Sequence, residues 1–423
     1  MSDSREPGKL RAFLSGGLIS VGASLLIGIG GYLVRRIFAE TLSVEDYAAL
    51  YSLVALGTLA ASILRFGSAD LLLFVLSGRP SPESDPDTPR LFGNIARLNL
   101  KLFLPLTAIL ALYVSFGGTI PGVSVPRAAL LLFLPFLLLT TFDALFNYLF
   151  NALKAFSIQY GTQTLKTALM LLGAILAAGT LNGAVLTFTV PPAIYILLSL
   201  ILLKKTFRFG FGPAAPPESL KLYRTRCFWL FLLSLSPMIF NELPTALLSF
   251  FSSPRQVAFF NIAVPVAMIV RTFYCVAMVF VPFAGEMKNS GDLRRLSLYI
   301  LGSAGCSLLA GLVMIPVFYL FGRDLIRLLF GETYADAAFC SFLLSEAMTI
   351  AFSGQVNINT LNTLGCEKHS AWVTLLTALL VLGGSIPLGL AYGAEGVAAG
   401  CLAGAFLWSA VSAAVLLKHI RTA

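Results

Sequence analysis

Charge is scarce in this chain: of its 423 residues 12% are Asp, Glu, Lys or Arg, while 57% are hydrophobic. A soluble domain carries about a quarter charged residues, so a chain of this length has too little polar surface to cover itself in water. Histidine is scarcer, with only His369 and His419. The six cysteines (Cys227, Cys275, Cys306, Cys340, Cys366, Cys401) all fall in the second half, without a CxxC pair or a Cys/His cluster. That pattern argues against a disulfide framework and a metal site, and the thiols read as free and buried. A nucleotide-binding loop, an acidic pair on a large cytoplasmic segment and a nucleophile–base set are all missing, so the chain does not read as an enzyme. No cofactor is expected, and any pumping would draw on an ion gradient or the membrane potential. No cleavable signal is expected either, since the first ~12 residues are polar and the apolar run after them is too long for a typical signal.

What is abundant is long apolar sequence. A membrane-crossing helix needs ~20 apolar residues. Such spans read at 13–34, 48–76, 98–116, 128–150, 157–180, 184–203, 228–251, 259–283, 296–320, 337–361, 371–390 and 397–417. The fold class is therefore all-α, a polytopic membrane protein of about 12 transmembrane helices in two pseudo-symmetric six-helix bundles.

The halves are separated by KKTFRFGFGPAAPPESLKLYRTR, residues 204–226. It is rich in Pro and Gly and holds six basic residues against the single acid Glu218. Basic residues near membrane ends are retained on the cytoplasmic side, so this stretch reads as a cytoplasmic linker. The organisation expected is an N-terminus at 1–12, a bundle at 13–203, the linker at 204–226, a second bundle at 227–418 and a tail at 419–423. With the N-terminus inside, the inner loops and termini hold twenty Lys and Arg residues. The outer loops hold six (Arg35, Arg36, Arg127, Arg255, Arg323, Arg327). Both termini are thus expected in the cytoplasm. The same clustering explains the net charge of +9 without nucleic acid, which is not expected as a partner.

The halves look related. SVEDYAALYSL from Ser43 and SPRQVAFFNIA from Ser253 each follow the first span of a half, 210 residues apart. The same offset carries Gly28, Gly30 and Gly31 onto the region of Pro237 and Pro244, so both leading helices are expected to be interrupted there. In transporters such interruptions mark the substrate pathway; packing glycines and an incidental kink are the alternative.

Polar residues inside the spans are the candidate site, because a charge at the bilayer centre costs at least ~2.5–3.5 kcal/mol and calls for a cavity or a partner. Thr140, Asp143, Asn147, Asn151 and Lys154 share one face of the fourth span. Glu346, Thr349, Ser353, Asn357 and Thr360 repeat that spacing in the tenth. Gln159, Gln163 and Lys166 line one face of the fifth span, and Lys166 reads as snorkelling to the cytoplasmic surface. Arg271 sits near mid-bilayer in the eighth span and Glu242 in the seventh, while Arg65 and Asp70 lie near the end of the second. A water-filled cavity is the reading for Arg271, Asp143, Glu242 and Glu346; hydrogen bonding between helices is the alternative, and the expected one for lone Asn and Thr residues.

Several stretches resemble a known family. TLSVEDYAALYSLVAL is similar to the turn after the first helix of polysaccharide-type flippases of the MOP exporter superfamily, and SSPRQVAFFNIAVPVAMIV to its repeat after helix seven. VFVPFAGEMKNSGDLRRL, FGRDLIRLLFGETYADAAFCSFLL and NTLGCEKHSAWVTLLTALLVLGGSIPLGLAYGAEGVAAGCLAG resemble later segments of that family in order and spacing, over about residues 11–418. Ala48 and Ala258 stand where the family usually has glycine. The resemblance implies two six-helix bundles that rock about a central site and flip polyprenyl-pyrophosphate-linked oligosaccharide for surface polysaccharide synthesis. Arg271 would meet the pyrophosphate; Arg65, which could instead snorkel to the cytoplasmic surface, and Asn147, Asn151, Gln163 and Asn357 are the further substrate-binding candidates, the neutral groups suiting sugar hydroxyls. Asp143, Glu242 and Glu346 would couple transport to an ion. The partners implied are the lipid-linked oligosaccharide, membrane lipids and polysaccharide polymerase or ligase machinery, in the cytoplasmic membrane. A MATE-like cation-coupled exporter of small organic cations shares the fold but calls for an acidic cavity. An integral-membrane glycan polymerase or ligase would call for a large external loop.

Overall fold

The computed structural model describes residues 7–77, 87–120, 125–177, 179–207, 227–271 and 293–422. Most of the linker, the second half of the eighth span, and Arg5, Arg79 and Lys288 lie outside them. Among the described residues the structure is helical, without strands. Among the described residues eight helical stretches are long and apolar enough to cross a membrane. In a bilayer every backbone amide has to find its partner within the helix, which is why these runs fold this way.

The chain forms two compact units that part after Cys227; Leu42–Leu59 packs with the second. The first unit holds α1 (Pro7–Thr41), α3 (Ser68–Ser77), α4 (Asp87–Ser115), α5 (Arg127–Phe133), α6 (Pro135–Ala152), α7 (Phe156–Leu176) and α8 (Leu181–Thr206). The end of α2 (Val44–Arg65) belongs there too. α1 packs on α7, α3 on α6, and α6 on both α4 and α8. Outward faces are apolar: Leu104, Ile109, Leu112 and Phe116 of this unit are exposed, as lipid-facing side chains are.

Two sequence expectations change here. α1 runs unbroken through Gly28–Gly31, because glycine weakens a helix but keeps its N–H in the ladder. The second span is the one that breaks, between α2 and α3, where Phe66 (φ 47°) and Gly67 (φ 70°) both adopt left-handed backbone. Leu134 separates α5 from α6, with Pro135 at the first position of α6.

In the second unit the seventh span is divided into helical residues 227–234, the turn Ser236–Ile239 and α9 (Glu242–Phe251). There Pro237 does interrupt the helix, as a residue lacking a backbone donor does. α10 (Pro254–Arg271), α11 (Leu293–Phe330), a 3-10 turn (Glu332–Ala337), α12 (Ala338–Thr363) and α13 (Glu367–Thr422) follow. α12 is the central helix of this unit, packed by α10, α11 and α13. α13 is two arms joined at Gly393, whose φ is 61°. The backbone amide of Ala394 donates to the side-chain amide oxygen Oε1 of Gln256 at 2.8 Å, so the start of α10 holds the joint between the arms.

Two local features recur in both halves of the sequence. Ser43 and Ser253 each accept the amide four residues on, opening α2 and α10 (2.9 and 3.2 Å). α6 and α12 each close with a left-handed residue and the same pair of reversed hydrogen bonds. Lys154 and Ala155 donate to Asn151 and Phe150 in one, and Gly365 and Cys366 to Asn362 and Leu361 in the other. Aligned on these closures, Asn151 matches Asn362 and Asp143 matches Gly354, so the two polar stripes read from the sequence are out of register.

Candidate functional site

In the first unit α6 and α7 bring together Asp143, Asn147, Gln159, Gln163 and Lys166. Lys166 Nζ bonds Asp143 Oδ2 at 2.6 Å, and Gln163 Nε2 donates to Asp143 Oδ1 at 2.9 Å. Both carboxylate oxygens are therefore engaged. Lys166 is not at the surface as expected: its side chain is 14% exposed, and its ammonium lies 5.3 Å from the Tyr195 ring centroid of α8. A carboxylate one helix away, together with an aromatic face, holds it inward. One turn below, Gln159 Nε2 donates to Asn147 Oδ1 at 2.6 Å. Asn151 follows on the same face of α6 and is half-buried.

A second polar group surrounds the break between α2 and α3. Arg65, the last residue of α2, is 8% exposed, and Asp70 lies in the first turn of α3. Asp70 lies within electrostatic reach of Arg65 and of the Tyr148 hydroxyl of α6. Asn99 Nδ2 of α4 donates to Ser68 Oγ at 3.3 Å. Arg65 Nε and Asp70 Oδ2 are buried without a hydrogen-bond partner. A buried donor or acceptor left unmatched costs about 1–3 kcal/mol, so this group has unfilled capacity. Asp70 and Tyr148 had no role in the reading from sequence. The available signal was the Arg–Phe–Gly–Ser–Ala–Asp stretch, a cation and an anion on either side of a glycine.

In the second unit Glu346 of α12 is 8% exposed, and its Oε1 is buried without a partner. Gly311 of α11 makes room for it: a methyl group there would come within 2.6 Å of Glu346 Oε2. Asn357, on the same helix, is fully buried against α13 and donates to Ser412 Oγ at 3.1 Å. Thr349 and Thr360 bond back to Ser345 and Val356 carbonyls of their own helix. Glu242 is half-buried in the first turn of α9. Arg271 is the last described residue of α10, and its side chain lies outside the described residues. The structure thus joins Asp143 with Gln163 and Asn147 with Gln159 in one unit, and Arg65 with Asp70 nearby. Among the described residues no cluster of three or more His, Cys, Asp or Glu offers a metal site.

The architecture is that of a known class of membrane transporters. A multidrug resistance MATE family transporter of the MOP superfamily, in an inward-facing conformation, has a TM-score of 0.71 at 17% identity over 95% of each chain. The lipid II flippase MurJ, in an inward closed conformation, has a TM-score of 0.72 at 14% identity, over 96% of this chain and 87% of its own. A MOP superfamily transporter from Pyrococcus furiosus, described as having a binding pocket of reversed polarity, has a TM-score of 0.63 at 16% identity over 97% and 96%. No family model matches. No curated protein matches either. The chain is a multi-pass membrane protein with the fold of MATE transporters and MurJ.

Proposed function

We propose that the protein flips polyprenyl-pyrophosphate-linked oligosaccharide across the cytoplasmic membrane by alternating access, for surface polysaccharide assembly. The observation that carries this reading is Arg65: a buried guanidinium at a broken membrane helix, with a hydrogen-bond donor still unused. Guanidinium groups recognise phosphate oxygens in pairs, and interrupted helices supply backbone groups at the membrane interior. Arg271 would be the second cation for the pyrophosphate. Amides such as Gln163, Asn147 and Asn151 suit sugar hydroxyls, which both donate and accept. On this reading both termini face the cytoplasm, and polymerase or ligase machinery receives the product.

Glu346 favours a second reading, a MATE-like exporter of organic cations, since a lone buried carboxylate invites a cation. Reconstituted vesicles separate the two. A fluorescent polyprenyl-pyrophosphate lipid should become accessible to a membrane-impermeant quencher, and Arg65→Ala and Arg271→Ala should each abolish this at matched protein levels. Efflux of a lipophilic dye cation that depends on Glu346, with no lipid movement, would overturn the flippase reading.

A further inference from the structure

We infer that α12 is a switch helix: it bends and straightens at Gly354 as the Ser409 hydroxyl of α13 enters and leaves its hydrogen-bond ladder. The Ser409 hydroxyl donates to the Ile350 carbonyl at 2.6 Å and accepts from the Gly354 amide at 3.1 Å. Those two backbone groups lie four residues apart and are the pair that bond each other in a regular α-helix. A side chain from a neighbouring helix thus holds both ends of one rung of α12. A group that enters the ladder in this way is one of the few causes of a sharp bend in a helix.

Gly354 is what lets α13 come so near. A methyl group there would lie within 3.0 Å of the Trp408 indole and 3.3 Å of Ser409 Oγ. Asn357, about one turn on, ties the same two helices, its Nδ2 donating to Ser412 Oγ at 3.1 Å and to the Ser409 carbonyl at 3.4 Å. The contact also has a second form. When Ser409 withdraws, the Ile350 carbonyl and the Gly354 amide bond each other. The freed hydroxyl then turns to a carbonyl of its own helix, as Ser341 and Thr377 do at Ala337 and Val373. No backbone group is stranded in either form, which is the condition a membrane helix has to meet. Two satisfied arrangements of one packed contact make a bistable element rather than a soft one. The bridged form is also incompletely matched: Asn357 Oδ1 and Trp408 Nε1 are buried without hydrogen-bond partners. Those atoms offset part of what the bridge contributes and keep the two forms close in free energy. The rung starts one turn after Glu346 and ends about one turn before Asn357. A bend there therefore moves the carboxylate part of the polar stripe against its amide part. Such a motion serves a transporter of this fold whatever its cargo, so it stands apart from the reading of Arg65.

The test uses the full-length protein in nanodiscs, with 5-fluorotryptophan at its three tryptophans and fluorine NMR as the readout. The signal lost in Trp408→Phe belongs to the indole beside Gly354. The wild type should show two Trp408 signals, or one exchange-broadened signal that separates on cooling. Ser409→Ala removes the bridge and should shift the ratio of the two forms by about tenfold, the effect of losing two hydrogen bonds of modest net strength, leaving in practice one signal. Ser409→Thr keeps the hydroxyl and should keep both. Gly354→Ala forces the indole away and should likewise leave one signal; this arm decides the matter if Ser409→Ala does not fold. A single sharp Trp408 signal in the wild type at every temperature, or two signals whose ratio is unchanged in Ser409→Ala, would overturn the switch. The readout involves no cargo, so its result and that of the vesicle experiment fail independently.

Discussion

Asp143 and Lys166 show what a single pair does inside the first unit. Their contact at 2.6 Å joins α6 to α7, with side chains 21% and 14% exposed. Removing one partner strands the other charge among apolar helices, which for a buried pair costs about 3–5 kcal/mol, and residual exposure puts this pair near the lower bound. Lys166→Met should therefore lower the unfolding temperature of the purified protein markedly. Adding Asp143→Asn should restore most of the loss, because the stranded charge is gone. A double variant as unstable as the sum of the singles would show that the pair acts through something other than its charges. In the second unit Gly311 and Glu346 are close neighbours. Gly311→Ala places a methyl within 2.6 Å of Glu346 Oε2, the free end of a flexible side chain that can swing aside, so the cost should fall at or below about 1 kcal/mol, the lower bound for overpacking. Glu346→Ala should relieve that cost, and thermal unfolding of the four proteins in a double-mutant cycle measures it. Costs that simply add would mean the two residues do not meet.

The closures of α6 and α12 make the same point for an element. Each ends on a left-handed residue, Lys154 (φ 56°) and Gly365 (φ 78°), with identical reversed hydrogen bonds. Glycine adopts this backbone freely, whereas a residue with a Cβ loses about 1–2 kcal/mol. Gly365→Ala should therefore destabilise the protein by about 1 kcal/mol, read from its unfolding midpoint in detergent, and Lys154→Gly should cost little or nothing. Equal losses at both positions would show that backbone strain is not what distinguishes them. Helices themselves were legible in the sequence, because a run of apolar residues has few other options in lipid. Their interruptions were less so. Pro237 announces a break because it lacks a donor, but Gly28, Gly30 and Gly31 leave α1 continuous. Phe66 carries no mark in the sequence of the left-handed backbone it adopts. Lys166 was misread for a related reason: its partner lies 23 residues away on another helix, a contact no local pattern displays.

For the molecule as a whole, Leu104, Leu309, Leu312 and Leu320 are each at least 60% exposed, an apolar surface suited to lipid, and the bias of the basic loops is the basis of the proposed orientation. Cysteine-accessibility labelling should find residues 208–218 reachable only from the cytoplasm and 253–256 only from outside. The reverse pattern would invert the topology. The division into two halves was readable from the linker, and the paired turns at Ser43 and Ser253 were readable as repeats. The grouping of Leu42–Leu59 with the second unit was not, since it arises from contacts such as Tyr47 with Tyr334, whose rings lie 5.9 Å apart.

Gln256 sets a clock on biosynthesis. Its side-chain oxygen holds the Ala394 amide, 138 residues further along the chain. A ribosome adding about 5–20 residues per second needs roughly 7–28 seconds to make that stretch. Through most of that interval α10 is already made while its clamp has nothing to grip. The last two arms of the protein are thus fastened to a turn made long before them, and a chain stopped short of Gly393 would leave that turn for quality control to find.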